Sequence, residues 1–261
     1  MGRTKSCLWK ADMVRALFTG KVPFAMAAMA FFYVVAAVQQ QSADDVYSIY
    51  SDVSTSSFGI LAYVLCALPY AAGFCEDTEH KYIYQVLTRE KKWKYVLSKT
   101  AAVFVSAAAV FCGGNVLFLF LEQMRYPLVN ETGAYYMYPL EGEDLVALLH
   151  SGRHAAYFGI CIFTRSLLGG LLSVFAAYVS LYLKNKMAVF CTPMVVYYFG
   201  INFMAKYLGL SGKYNPMHVY DVCSNLMGTG AKSVLYAVGY TIAALAVLFV
   251  LCLHKIGRDY S

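Results

Sequence analysis

His150 and His154 stand four residues apart, a spacing at which two imidazoles on one helix could share a metal ion. Metalloproteases built on such a pair need the glutamate of an H-E-x-x-H sequence as their base, and this pair has none. Both histidines fall in a stretch read below as an outer loop, so surface histidines are the plainer reading. His80, His218 and His254 have no comparable partner, and no nucleophile or carboxylate pair sits within a hydrophobic run. Phosphate chemistry fares no better. A P-loop needs a glycine five residues before its Gly-Lys and a Ser or Thr after it. At Lys21 those positions are Arg15 and Val22, and at Lys213 they are Tyr207 and Tyr214. The expectation is a chain that is not catalytic by itself.

The elements that would position any site are hydrophobic. Of 261 residues only 14% are charged and 60% are hydrophobic, against about 25% charged in a soluble domain. Six runs lack Asp, Glu, Lys and Arg: 22–43, 53–75, 100–121, 166–183, 187–205 and 233–254. Each reaches the roughly 18 residues that cross a bilayer core, and backbone groups in lipid must be satisfied within the segment. The fold class expected is an all-α polytopic membrane protein, a single transmembrane domain over 1–261. Its six helices are placed at about 22–42, 54–74, 100–121, 160–183, 187–206 and 232–253. The first run is read as a retained helix, not a cleaved signal.

Lysines and arginines orient the spans. Arg3, Lys5, Lys10, Arg15 and Lys21 precede the first. Lys81, Arg89, Lys91, Lys92, Lys94 and Lys99 follow the second. Lys184, Lys186, Lys255 and Arg258 share their side, while only Arg125, Arg153, Lys206, Lys213 and Lys232 lie opposite. The positive side is cytoplasmic, which puts both termini inside. The net charge of +6 then points to the lipid bilayer and its anionic headgroups, and no nucleic-acid motif competes with that reading. Cys66, Cys112, Cys191 and Cys252 fall within spans and Cys7 and Cys75 inside. Only a Cys161–Cys223 bridge is open to the remaining pair, and no CxxC pair suggests a metal knuckle.

Residues 1–21 are read as a cytoplasmic interfacial helix. Trp9, Met13, Ala16 and Leu17 share its apolar face, while Asp12 and Arg15 face away. An ordinary frayed tail is the competing reading. A short acidic outer loop holding Asp44, Asp45 and Asp52 follows span one. The extracellular segment 122–158 contains one or two short surface helices, and Arg165 is placed near the outer headgroups. Turn residues interrupt 207–231 too often for a long helix, which suits a re-entrant segment between spans five and six. Pro69 and Pro193 are read as kinks, and Gly113–Gly114 and Gly169–Gly170 as points of close helix approach.

The polar stretch 76–99 projects between spans two and three. Tyr82, Ile83, Val86 and Leu87 recur at helical spacing and form a small apolar face. Such a face invites a partner, while a solvated positive loop with no partner explains the composition equally well. Trp93 and Tyr95 suit an anchor at the interface.

This stretch, EDTEHKYIYQVLTREKKWKYVLSK, and the span after it resemble the permease subunits of bacterial ABC type-2 transporters. In that family an acidic start, a short helix, an Arg-containing turn and a Lys lead into the third span. Glu79, Leu87, Arg89, Tyr95 and Lys99 occupy the matching places. RSLLGGLLSVFAAYVSLYLKNKMAVFCTPMVVYY is similar to the family's fourth and fifth spans, with the tight turn LKNKMAV and Pro193 as matching features. One departure is Lys81-Tyr82, where the family often has Gly-Thr.

The resemblance implies a bacterial cell-membrane protein with a cytoplasmic coupling helix that docks in a cleft of a separate ABC ATPase subunit. ATP and Mg would be bound by that partner, and this chain would carry no cofactor. Glu79, Tyr82, Ile83, Val86, Leu87 and Arg89 would make the docking contact, and Lys184, Asn185 and Lys186 a second, smaller one. A second permease subunit, identical or different, would complete the transporter. Polar residues within the spans are few, Ser106, Asn115, Thr192 and Asn202 among them, so a peptide, drug or amphipathic compound suits the pathway. A membrane sensor or scaffold subunit without transport is the alternative function, and an intramembrane enzyme the third.

Overall fold

The computed structural model describes residues 8–39, 45–131, 143–203, 207, 214–221 and 227–259. Every regular element among them is helical. The chain opens with α1 (Leu8–Leu17) and α2 (Lys21–Gln39). Pro23 falls in the first turn of α2, where a missing N–H costs nothing. Next come α3 (Val46–Thr55), α4 (Ser57–Ala67), α5 (Gly73–Glu79), α6 (Tyr82–Leu87) and the long α7 (Lys92–Gln123). After them stand α8 (Glu143–His150), α9 (His154–Val179) and α10 (Lys186–Val195), which continues into a π-helical stretch Val196–Phe203. The last are α11 (Pro216–Tyr220) and α12 (Gly230–Asp259).

Among the described residues, four helical units are long and apolar enough to cross a membrane: Leu8–Gln39, α7, α9 and α12. The bent pair α3–α4 makes a fifth if it counts as one span. The protein is therefore a multi-pass, all-helical membrane protein. α7 is the central post, packed against α2, α9, α1, α4 and α12. Met29 of α2 seats against Gly114, where a Cβ would stand 2.7 Å from its sulfur. The glycine pair thus does what its sequence predicts and lets helices approach. Most of α12 faces outward, with only 17% of its apolar window buried.

Three elements depart from the sequence reading. The segment expected as an acidic outer loop is the buried helix α3. Val46, Ile49, Tyr50 and Val53 line its inner face at helical spacing. Asp45, which looks like a loop residue, caps it by accepting from the Ser48 N–H at 2.8 Å. The same carboxylate accepts from the Asn130 N–H at 2.9 Å, so α3 is clasped to the strap that follows α7. The second departure is span two. α4 ends at Ala67, because Pro69 breaks the ladder, and a set of turns carries the chain into α5. The fifth hydrophobic run is also short as a helix: Pro193 lies inside α10, and the backbone then widens into the π-helical stretch.

A 73° bend joins α3 to α4 at Ser56, whose N–H still reaches the carbonyl of Asp52 at 3.0 Å. The bend brings Gly59 so close that a Cβ there would sit 2.4 Å from the Ser54 carbonyl oxygen. Backbone cannot yield as a side chain can. Gly59→Ala is expected to lower stability by about 2 kcal/mol or to straighten the bend. Gly159→Ala and Gly239→Ala, which meet nothing within 4 Å inside helices, are expected to hold stability or raise it by up to about 1 kcal/mol. Thermal unfolding in detergent separates the three variants.

Candidate functional site

One end of the bundle gathers the residues that the sequence singles out. Its foundation is a buried ionic network around Lys99, in the second turn of α7. Lys99 Nζ lies 2.9 Å from Asp77 of α5 and 3.4 Å from Asp12 of α1, all three side chains being no more than 9% exposed. It also donates to the Tyr70 hydroxyl at 2.7 Å, and Tyr70 in turn donates to Asp12 at 2.9 Å. Ser98 Oγ donates to the other Asp12 oxygen at 2.5 Å, and the Tyr95 hydroxyl to Asp77 at 2.7 Å. Buried charge is tolerated only when paired and hydrogen-bonded in this way.

This network corrects the reading of α1. Asp12 and Ala16 are the buried residues, while Trp9 is 42% exposed. Asp12 turns inward because α1 lies on α7, where Lys99 meets it. A helix forms where one is predicted, rotated from the face that apolar periodicity selects.

The network positions α5 and α6. Between them Lys81 adopts a left-handed conformation, φ 55° and ψ 17°, which a side chain makes costly. α6 then turns Ile83 and Val86 into the core with Ala16, Phe74, Tyr95 and Val96, at 0% and 6% exposure. Burying each is worth roughly 1.5–3 kcal/mol. Hence these two predicted docking residues are core, Tyr82 and Leu87 are half-buried, and Arg89 is exposed. Tyr82 also lies under the Arg15 guanidinium, 5.1 Å from ring centroid to Cζ. The outward side of α6 shows Tyr84, Gln85, Thr88 and Arg89.

Two contacts that the sequence treats separately meet here. Glu79 at the end of α5 pairs with Lys186 at the start of α10 at 2.7 Å. A hydrogen bond from the Lys186 ammonium holds the Glu79 carboxyl below the ordinary glutamate value, and the same contact raises Lys186. Cys75 Sγ reaches the Lys184 carbonyl at 3.3 Å. Burial pushes its thiol up, with Glu79 adding to the effect. Asn185 caps α10 by accepting from the Met187 N–H at 3.0 Å, while Lys184 is exposed. Beside this junction a cleft of about 200 Å³ opens between α5, the end of α9 and the end of α12, with Thr78, Leu183, Ile256 and Asp259 on its walls.

Other sequence candidates are placed elsewhere. His150 ends α8 and His154 begins α9, with a turn between them at Gly152, so the two imidazoles do not share one helix face. Among the described residues no three His, Cys, Asp or Glu side chains are grouped to hold a metal. Cys223, Asn202's side chain and the residues around 222–226 lie outside the described residues. Arg165, expected near the outer headgroups, sits about three turns inside α9, 12% exposed and paired with Asp221 at 3.2 Å. Of Asp12, Asp77 and Arg165, only Arg165 carries a legible signal, since it borders the uncharged run 166–183.

Replacing Lys99 by Met leaves two carboxylates buried without their cation and is expected to cost roughly 3–5 kcal/mol. Adding Asp12→Asn and Asp77→Asn to that variant should recover much of the loss. A Lys99→Met protein as stable as wild type in chemical denaturation would contradict the network's role. Lys81→Gly, by contrast, relieves the left-handed strain and is expected to raise stability by about 1 kcal/mol, read as a higher unfolding midpoint. The chain matches no protein-family model, and no curated protein or solved structure matches it either.

Proposed function

We propose that this protein is the membrane-spanning permease subunit of an ATP-driven ABC transporter, exporting a peptide, drug or other amphipathic compound. A separate ATPase subunit would bind ATP and Mg and supply the work. The observation that carries this reading is the junction of the α5–α6 segment with the turn before α10. Both protrude at the basic end of the bundle and are tied by Glu79–Lys186. Through the Lys99 network the first of them is fastened to α1 and α7. A partner that pushed on α6 would therefore move the central helix.

On this reading the α3–α4 pair and α10 with its π-helical continuation complete six spans. The segment before α12 is re-entrant, and the basic end with both termini is cytoplasmic in a bacterial cell. A second permease subunit, identical or different, packs beside this one, and the largely uncovered α12 suits that contact as well as lipid. Docking falls to the exposed residues Tyr84, Arg89 and Lys184, with Glu79, Lys186 and the half-buried Tyr82 and Leu87 behind them. One observation favours the other reading, a sensor or scaffold subunit: Ile83 and Val86 are already covered by the chain's own core, which leaves a mainly polar outer face on α6.

Co-purification from native membranes in mild detergent tests the proposal. Wild-type protein is expected to carry an ATP-hydrolysing subunit. Arg89→Glu combined with Tyr84→Ala should reduce its recovery at least about tenfold, a loss near 1.4 kcal/mol, while the permease stays monodisperse. Folded protein that carries no ATPase at all would favour the sensor reading.

A further inference from the structure

Arg165 occupies a place that membrane helices rarely give to charge. α9 runs for 26 residues, roughly 39 Å at 1.5 Å per residue. Arg165 lies about three turns from its His154 end, and such a depth falls within a hydrocarbon core about 30 Å thick. Ionisable groups at that level are costly and are kept where they bind or move something. Thr241 lies at a similar depth in α12, and the Tyr220 hydroxyl meets it at 2.8 Å. α11 therefore delivers Tyr220 and Asp221 into the interior.

Three irregular pieces of backbone converge on Arg165. The first is the 73° bend, which presents Ser54 and Thr55. The second is the π-helical stretch that carries Tyr197, and the third is short α11. Irregular backbone at membrane depth is tolerated where it is buried in protein or lines a cavity, and interrupted helices commonly frame binding sites. A cavity of about 30 Å³ does open here, between Ser54, Thr55, Tyr63, Tyr197, Tyr220 and the Arg165–Asp221 pair. Tyr50 lies against the guanidinium, 5.5 Å from ring centroid to Cζ.

We propose that this cleft binds the carboxylate of an amphipathic organic acid, which takes the place of Asp221 on Arg165. The planar guanidinium matches a carboxylate in shape and charge. The cavity alone holds about one water's volume, and withdrawal of the Asp221 side chain vacates the room of one more carboxylate, the head that is seated there. Tyr63, Tyr197 and Tyr220 among its lining residues offer aromatic surface to a body attached to that head. Asp221 is the exchangeable partner. Its side chain is 32% exposed and stands at the end of a five-residue helix. A cationic compound would be repelled by Arg165, and a neutral one would gain nothing by displacing Asp221. Calling the acid a transported cargo rests on the permease reading; its binding does not.

The full-length protein in lipid nanodiscs is titrated with N-acetylphenylalanine and with its amide, which keeps the body and removes the charge. Ligand-observed NMR reads the binding. Wild type is expected to bind the acid saturably and the amide at least about tenfold more weakly. Arg165→Lys, which keeps the charge and loses the fork, should weaken the acid about tenfold, and Asp221→Asn should tighten it by removing its competitor. An ion pair that only fastens helices gives the opposite result, no saturable binding of the acid to wild type or to Asp221→Asn. That outcome, or equal binding of acid and amide, overturns the proposal. The wild-type comparison of acid with amide stands alone if a variant fails to fold. Loss of ATPase co-purification leaves it untouched, so the two proposals fail separately.

Discussion

The buried ammonium of Lys99 is the constraint on which the basic end of this protein depends. Two carboxylates, two tyrosines and a serine surround one cation, drawn from α1, α5, α7 and the turn at Tyr70. Such a cluster is a poor source of net stability, because apolar residues of similar volume often do as well. Its effect is on choice of structure. Any arrangement that separated α1 or α5 from α7 would leave a charge in a low-dielectric interior without its partner, at a cost of several kcal/mol. The observed packing of the three elements satisfies every member.

The consequences spread outward from there. With α5 fixed, the left-handed Lys81 aims α6 so that Ile83 and Val86 fall on the core. With the end of α5 fixed, Glu79 stands beside the first turn of α10 and pairs with Lys186. That surface pair is exposed on both sides and adds little energy. Its value is that it reports where the buried network has placed the chain. The bundle ends in a cap whose parts are mutually positioned, not in loops that happen to be polar.

Much of this was legible in the sequence, and the rest was hidden for a definable reason. The uncharged runs locate α2, α7, α9 and α12, because a hydrophobic segment of that length has few alternatives. Pro69 and Pro193 mark real interruptions, and Gly114 a real close approach. The misreadings concern charge. Asp12 and Asp45 are assigned to water and Arg165 to the outer headgroups, which is where single charges usually belong. Each is instead satisfied by a residue far along the chain: Asp12 by Ser98 and Lys99, Asp45 by the Asn130 backbone, Arg165 by Asp221. Periodicity sees neighbours three and four residues away and cannot see these. In α3 the same error concealed a helix, since Asp45 and Asp52 read as loop residues although one is its cap.

The two buried ionic groups differ in a way that bears on what each can do. At Lys99 one cation is shared by two carboxylates at no more than 9% exposure, and hydroxyls complete the shell. No element there can leave without stranding a charge. At Arg165 the counter-ion is a third exposed, comes from a five-residue helix, and borders an open cavity beside a bend and a π-helical stretch. Asp221 can withdraw toward solvent, and an incoming anion can replace it without leaving the guanidinium bare. A closed network transmits displacement because it resists rearrangement, whereas a partly open pair can exchange partners because it does not. The fold places the first where α6 meets a membrane helix and the second within the apolar span of α9. On the proposed reading, motion at one end is coupled to binding within the bundle, and that division serves both.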